Sequence, residues 1–113
     1  MIEKTILDYL TPRLPEPVLM EVPSPRPARY VTIEKTGSGD ENSLLEATLA
    51  IQSVAPSLYE AAELSERVKG LMQCLTALSN VFRCDCETDY NFTDTRTKER
   101  RYQAVYHIFY MEE

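Results

Sequence analysis

Residues 57–80, SLYEAAELSERVKGLMQCLTALSN, decide how this chain is read. Pro56 stands just before Ser57, and Ser57-Leu58-Tyr59-Glu60 has the form of a capping box, in which serine and glutamate side chains satisfy the unpaired N–H groups of a helix start. Behind it Leu64, Val68, Leu71, Met72, Leu75 and Leu78 form one apolar stripe at helical spacing, with Glu60, Glu63, Glu66, Arg67 and Lys69 mostly off it. The pattern predicts a helix of about 23 residues, roughly 35 Å long at 1.5 Å per residue. A helix of that length can cover one face of a whole small sheet.

The strands it would cover lie on both sides. Downstream, Phe82, Cys84, Cys86, Thr88 and Tyr90 alternate with Arg83, Asp85, Glu87 and Asp89, the pattern of a half-buried strand. Residues 100–111 place Tyr102, Ala104, Tyr106, Ile108 and Tyr110 on one face and Gln103, Val105, His107 and Phe109 on the other. Apolar groups on both faces predict a central strand, or one whose outer face meets a partner. Upstream, Arg29–Thr36 alternates and is rich in β-formers, and Ser43–Val54 sets Leu45, Ala47, Leu49 and Ile51 against Glu46, Thr48, Ala50 and Gln52. The segment Gly37-Ser38-Gly39-Asp40-Glu41-Asn42 between them predicts a turn.

The first residues predict a short helix over 2–11, with Ile2, Ile6, Leu7 and Leu10 at helical spacing and Pro12 as its stop. Six of the seven prolines fall between Pro12 and Pro27, which excludes regular helix and reads as a rigid connector. Only 18–22 is free to form an edge strand. The expected order is α-β-β-β-α-β-β: an α+β fold with an antiparallel or mixed sheet of four to five strands packed against two helices, in one domain spanning 1–113.

Composition narrows the function. At 113 residues, 43% hydrophobic and 27% charged, the chain is ordinary globular material for one core. No apolar run nears the ~20 residues of a membrane span, and the start Met1-Ile2-Glu3-Lys4-Thr5 lacks a signal-peptide pattern, so a cytoplasmic protein is expected. The net charge of −6 argues against a surface built to wrap nucleic acid, because such affinity rests on Lys and Arg neutralising phosphates.

Chemistry-bearing motifs are sparse. Cys84-Asp85-Cys86 points two thiols to one strand face, but a zinc site needs four ligands, and Cys74 and His107 would have to converge from other elements. The cysteines are better read as free, buried core thiols, and no metal or other cofactor is expected. His107, the single histidine, has no nucleophile signature beside it and reads as structural, so no catalytic residue is expected. Gly37-Ser38-Gly39 lacks the Lys-Ser/Thr of a phosphate loop. Lys98, Arg100 and Arg101, with Arg96 near, form the one basic cluster, beside acidic neighbours, and read as a solvated hairpin rather than a nucleic-acid patch. Seven tyrosines without a tryptophan, three of them on one strand face, suit either a core rim or an interface.

Several stretches together carry a family likeness: Tyr30-Val31-Thr32-Ile33-Glu34-Lys35-Thr36-Gly37-Ser38-Gly39, Leu49-Ala50-Ile51-Gln52-Ser53, Tyr59-Glu60-Ala61-Ala62-Glu63-Leu64, Asp89-Tyr90-Asn91-Phe92-Thr93-Asp94-Thr95 and Arg101-Tyr102-Gln103-Ala104-Val105. In this order the chain resembles the tail-completion proteins of long-tailed phages and prophages, also called tail-terminator or head–tail joining proteins. The proline-rich stretch is longer than in that pattern. The resemblance implies a non-enzymatic virion assembly protein, made in the host cytoplasm and then part of the tail. It implies a homohexameric ring that caps the tail tube and later meets the head connector, with DNA only passing through. A head-completion adaptor or another virion subunit is the alternative, and a small-ligand-binding module a weaker one. The turns at 37–43 and 91–98 are the expected subunit contacts, through Ser38, Asp40, Glu41, Arg96, Lys98 and Arg101.

Overall fold

The structure, a computed structural model, describes residues 1–41 and 44–112, with Glu41 described by its backbone alone. Helix α1 (Ile2–Leu10) and a 3-10 turn (Thr11–Arg13) lead to a two-residue strand, β1 (Val18–Leu19). Strands β2 (Tyr30–Glu41) and β3 (Leu44–Ala55) follow, then helix α2 (Leu58–Gln73), a 3-10 turn (Leu75–Ala77), and strands β4 (Val81–Asn91) and β5 (Arg100–Tyr110). The fold is α+β: one mixed sheet in the order β1-β2-β3-β5-β4, with β1 parallel to β2 and every other pair antiparallel.

The two helices share one face of the sheet. Ile2, Ile6 and Leu10 from α1 and Leu64, Val68 and Met72 from α2 pack on Val31, Ile33, Leu49, Ile51, Tyr106 and Ile108. Tyr9 adds a tie between the helices, donating its hydroxyl to the Leu71 carbonyl at 2.7 Å. The start of α2 is capped as expected. Ser57 Oγ accepts from the Glu60 N–H at 3.1 Å and donates to its carboxylate at 2.9 Å.

The other face of the sheet has no helix. Residues 20–29, a proline-rich strap, return the chain from β1 to the parallel β2; Met20 and Val22 lie beside Ala50 on this face, and Arg26 reaches the Tyr30 hydroxyl at 3.5 Å. Tyr30, Ala50 and Val54 are buried although they point away from the helices.

Four expectations need correction. The turn foreseen at 37–42 is strand: Gly37, Ser38 and Gly39 pair with Thr48, Ala47 and Glu46, and a bulge at Thr36 absorbs one residue. Asn42 and Ser43, the remainder of that turn, lie outside the described residues. The long helix stops at Gln73, after 16 residues; Cys74 leaves helical geometry, and the 3-10 turn swings Leu75 inward before Val81 starts β4. The edge strand is shorter than 18–22, because only Val18 and Leu19 run alongside β2.

The alternation of β4 is the fourth. Bulges at Phe82 and Glu87 each insert an unpaired residue, and each inverts which face the following residues occupy. Phe82 is therefore 52% exposed while Val81 is buried, and Tyr90 opposes Gln103 on the open face rather than joining the core. Cys74 and Cys86 are exposed and Cys84 is half-buried, so the expected buried thiols are not found.

Candidate functional site

The β4–β5 connection is built by side chains that close it locally. Asn91 Oδ1 accepts from the Thr93 N–H at 3.0 Å, and Asp94 Oδ1 accepts from the N–H groups of Arg96 and Thr97 at 2.9 and 3.3 Å. These amide bonds, which favour the charged carboxylate, hold the Asp94 pKa below its usual value. Lys98, with φ of 63°, sits in the left-handed region that reverses the chain into β5. Arg96, Lys98 and Arg100 emerge exposed from this frame, and among the described residues no ion pair reaches any of the three.

Arg101 is different. Its guanidinium donates to the Phe92 carbonyl at 2.9 Å, lies 3.4 Å from Glu99 and 3.7 Å from Asp94, and sits over the Phe92 ring. It braces the hairpin from inside, with part of its side chain still at the surface. Arg100, its neighbour, is exposed. Strand alternation tells that adjacent residues part company, but not which of the two is held.

The other expected contacts lie at the opposite end of the sheet. Asp40 pairs with Leu45 and Glu41 with Leu44, beside Tyr110 at the end of β5, whereas Asn91 and Tyr102 mark the hairpin end. Ser38 and Asp40 are exposed on strand β2, not on a loop. Across from Gly39, the Glu46 side chain lies over the strand so closely that a Cβ on Gly39 would stand 2.8 Å from its Oε1. Glu46 Oε2 is 3.6 Å from His107 Nε2. The two sets of expected contact residues thus lie at two poles of a molecule 44 Å long and 25 Å across.

Between the poles, the helix-free face carries Thr48, Val105, His107 and Phe109, all half-exposed. At its acidic end, Leu44, Phe82, Arg83 and Phe109 line an open depression of about 370 Å³. Tyr102, Tyr106 and Tyr110 answer the tyrosine question differently: Tyr106 and Tyr110 are core, and only Tyr102 is half-exposed.

The thiols and the histidine do not converge. Cys84 and Cys86 oppose Ile108 and Tyr106 on the helix face, and His107 lies on the open face. Among the described residues no group of three or more His, Cys, Asp or Glu side chains could hold a metal ion. Burial pushes the Cys84 thiol up to about 12, with Asp85 adding to the effect, and burial also raises Cys86. Both are protonated thiols at neutral pH and poor nucleophiles. A cleft of about 410 Å³ lies between α1 and the turn before β4, lined by Thr5, Asp8, Tyr9, Arg13 and Asn80 among others; its tyrosine hydroxyl is already committed to Leu71. No helix of the described residues is long and apolar enough to cross a membrane.

Neither the known protein-family models nor the curated proteins contain a match to this chain.

Proposed function

We propose that this chain is a virion assembly subunit, a tail-completion protein that caps the tail tube of a long-tailed phage or prophage and joins the tail to the head through a ring of its own copies. The observation that supports a surface-acting protein is the uncovered sheet face. Antiparallel sheets tolerate one solvated face, but such a face is normally polar. Here Val105 and Phe109 stand on it with exposed Leu44 and Phe82 at its end, apolar groups that a partner would cover. The family resemblance of the quoted stretches supplies the particular assembly. The ring, the tube protein and the head connector are the partners this reading requires, with no cofactor and no catalytic step.

The experiment is deletion of the gene in an inducible prophage that carries it. Filled heads beside free tails, with joining restored in trans, are expected, because only the joint is missing. Normal infectious particles would overturn the proposal. Absence of tails would move the assignment to a tube subunit, and empty heads to a head-completion adaptor.

A further inference from the structure

We infer that the self-contact of this protein is head-to-tail and set by charge: the hairpin pole of one copy, with Arg96, Lys98 and Arg100, docks on the opposite pole of the next, at Asp40 and Glu46. The inference rests on the assembly reading above and specifies which surfaces meet.

Four observations carry it. The protein is acidic overall at −6, yet three cations without an ion-pair partner among the described residues share one short hairpin. The opposite end of the sheet displays Asp40 on the helix face and Glu46 on the open face, the latter spread over Gly39 with its side chain 44% exposed. Each pole also offers exposed apolar surface, Phe92 at the basic end and Leu44 at the acidic end. Finally, the poles sit at opposite ends of a sheet whose longest strands, of twelve residues, run roughly 40 Å, so one copy cannot join its own two ends.

Charge then selects the symmetry. Two basic poles brought together would crowd six like charges, and two acidic poles would gather carboxylates; like-charge juxtaposition suppresses both pairings. Only the heterologous arrangement, basic pole on acidic pole, pairs opposite signs, and heterologous contacts repeat until they close into a ring or extend as a filament.

The test is a charge swap in the full chain. One variant carries Arg96→Glu, Lys98→Glu and Arg100→Glu, and a second carries Asp40→Lys and Glu46→Lys; unchanged melting temperature and near-ultraviolet circular dichroism establish that each is folded. Light scattering and native mass spectrometry read the assembly. Wild-type protein is expected to associate and to weaken as salt rises past about 0.15 M, where the screening length falls to ~8 Å. Each variant alone should associate at least about 10-fold more weakly. An equimolar mixture of the two should recover assembly, and so should one chain bearing both sets.

A mixture that stays dissociated, either variant assembling like wild type, or a wild type that is monomeric at every concentration overturns the inference. So does a wild-type basic pole that captures a DNA oligonucleotide while the protein stays monomeric. The prophage deletion reads the assembly function separately: unjoined particles with a failed swap would refute the pole contact alone, and normal particles with a successful swap would refute the function alone.

Discussion

Tyr30 donates its hydroxyl to Glu99 Oε2 at 2.9 Å, joining positions 69 residues apart. The same carboxylate pairs with Arg26 of the strap and, through Oε1, lies 3.4 Å from Arg101 of the hairpin. One half-buried acid thereby ties the strap, the first long strand and the basic hairpin at a single end of the sheet. Tyr30→Phe removes the tyrosine bond and is expected to cost about 1.5–3 kcal/mol, the range for a hydrogen bond to a charged group. Glu99→Gln should also loosen the strap, measured as faster amide exchange at residues 26 and 30. Unchanged denaturant midpoints for Tyr30→Phe would show that the bond is dispensable.

The helix α2 core should respond by position. Leu64→Ala and Met72→Ala, both at fully buried sites, are expected to cost roughly 2–5 kcal/mol. Leu71→Ala should cost less, because Leu71 is only half-buried at the margin of the stripe. Glu63→Ala on the exposed face should change stability by under about 0.5 kcal/mol. Urea midpoints that rank Leu71 above Leu64 would place the helix face wrongly.

Stability should fall at both extremes of pH, for opposite reasons. Arg67 grips Glu16 in a two-pronged contact at 3.0 and 2.6 Å, and that bond holds the Glu16 pKa below its ordinary value. A depressed acid stabilises the fold above its unfolded pKa of about 4.3 and loses that contribution as pH falls. Tyr9, Tyr30, Tyr106 and Tyr110 are all raised, with burial the first cause in each. A raised group contributes fully below its unfolded pKa, near 10 for tyrosine, and loses that contribution above it. Thermal melts should therefore drop below pH ~4 and above pH ~10, and Arg67→Ala should flatten the acid limb. An acid limb identical in Arg67→Ala would sink the Glu16 assignment.

Thiol labelling should separate the three cysteines. Cys74 is exposed at the end of α2 and should react first with a maleimide. Cys84, half-buried with its pKa pushed up to about 12, should react last, and Cys86 between them. Labelling of native protein followed by peptide mass mapping reads the order, and preferential modification of Cys84 would contradict the burial of β4 against α2.

Local patterns carried far in this chain. Ser57 and Glu60 cap α2 as their spacing demands, and the alternation of Leu45, Ala47, Leu49 and Ile51 matches the face that β3 buries. Short-range chemistry decides such features: a cap needs residues three apart, and an inward face needs a period of two. The order of helices and strands follows from them.

What the residues could not announce depended on partners distant in the chain. Two bulges in β4 turn Phe82 outward and Tyr90 to the open face, because pairing with β5, not the local alternation, sets the register. Gly37-Ser38-Gly39 reads as a turn by composition, yet pairing with β3 extends it as strand. Arg100 and Arg101 look alike in sequence; only the folded hairpin, with the Phe92 carbonyl and Glu99 within reach of one of them, makes Arg101 a brace and leaves Arg100 exposed, without an ion pair among the described residues. Residue types and spacing determined which elements form and which side chains are charged. Long-range pairing alone decided which of those charges stay unsatisfied at the surface, because an ion pair depends on distance in space and not on position along the chain.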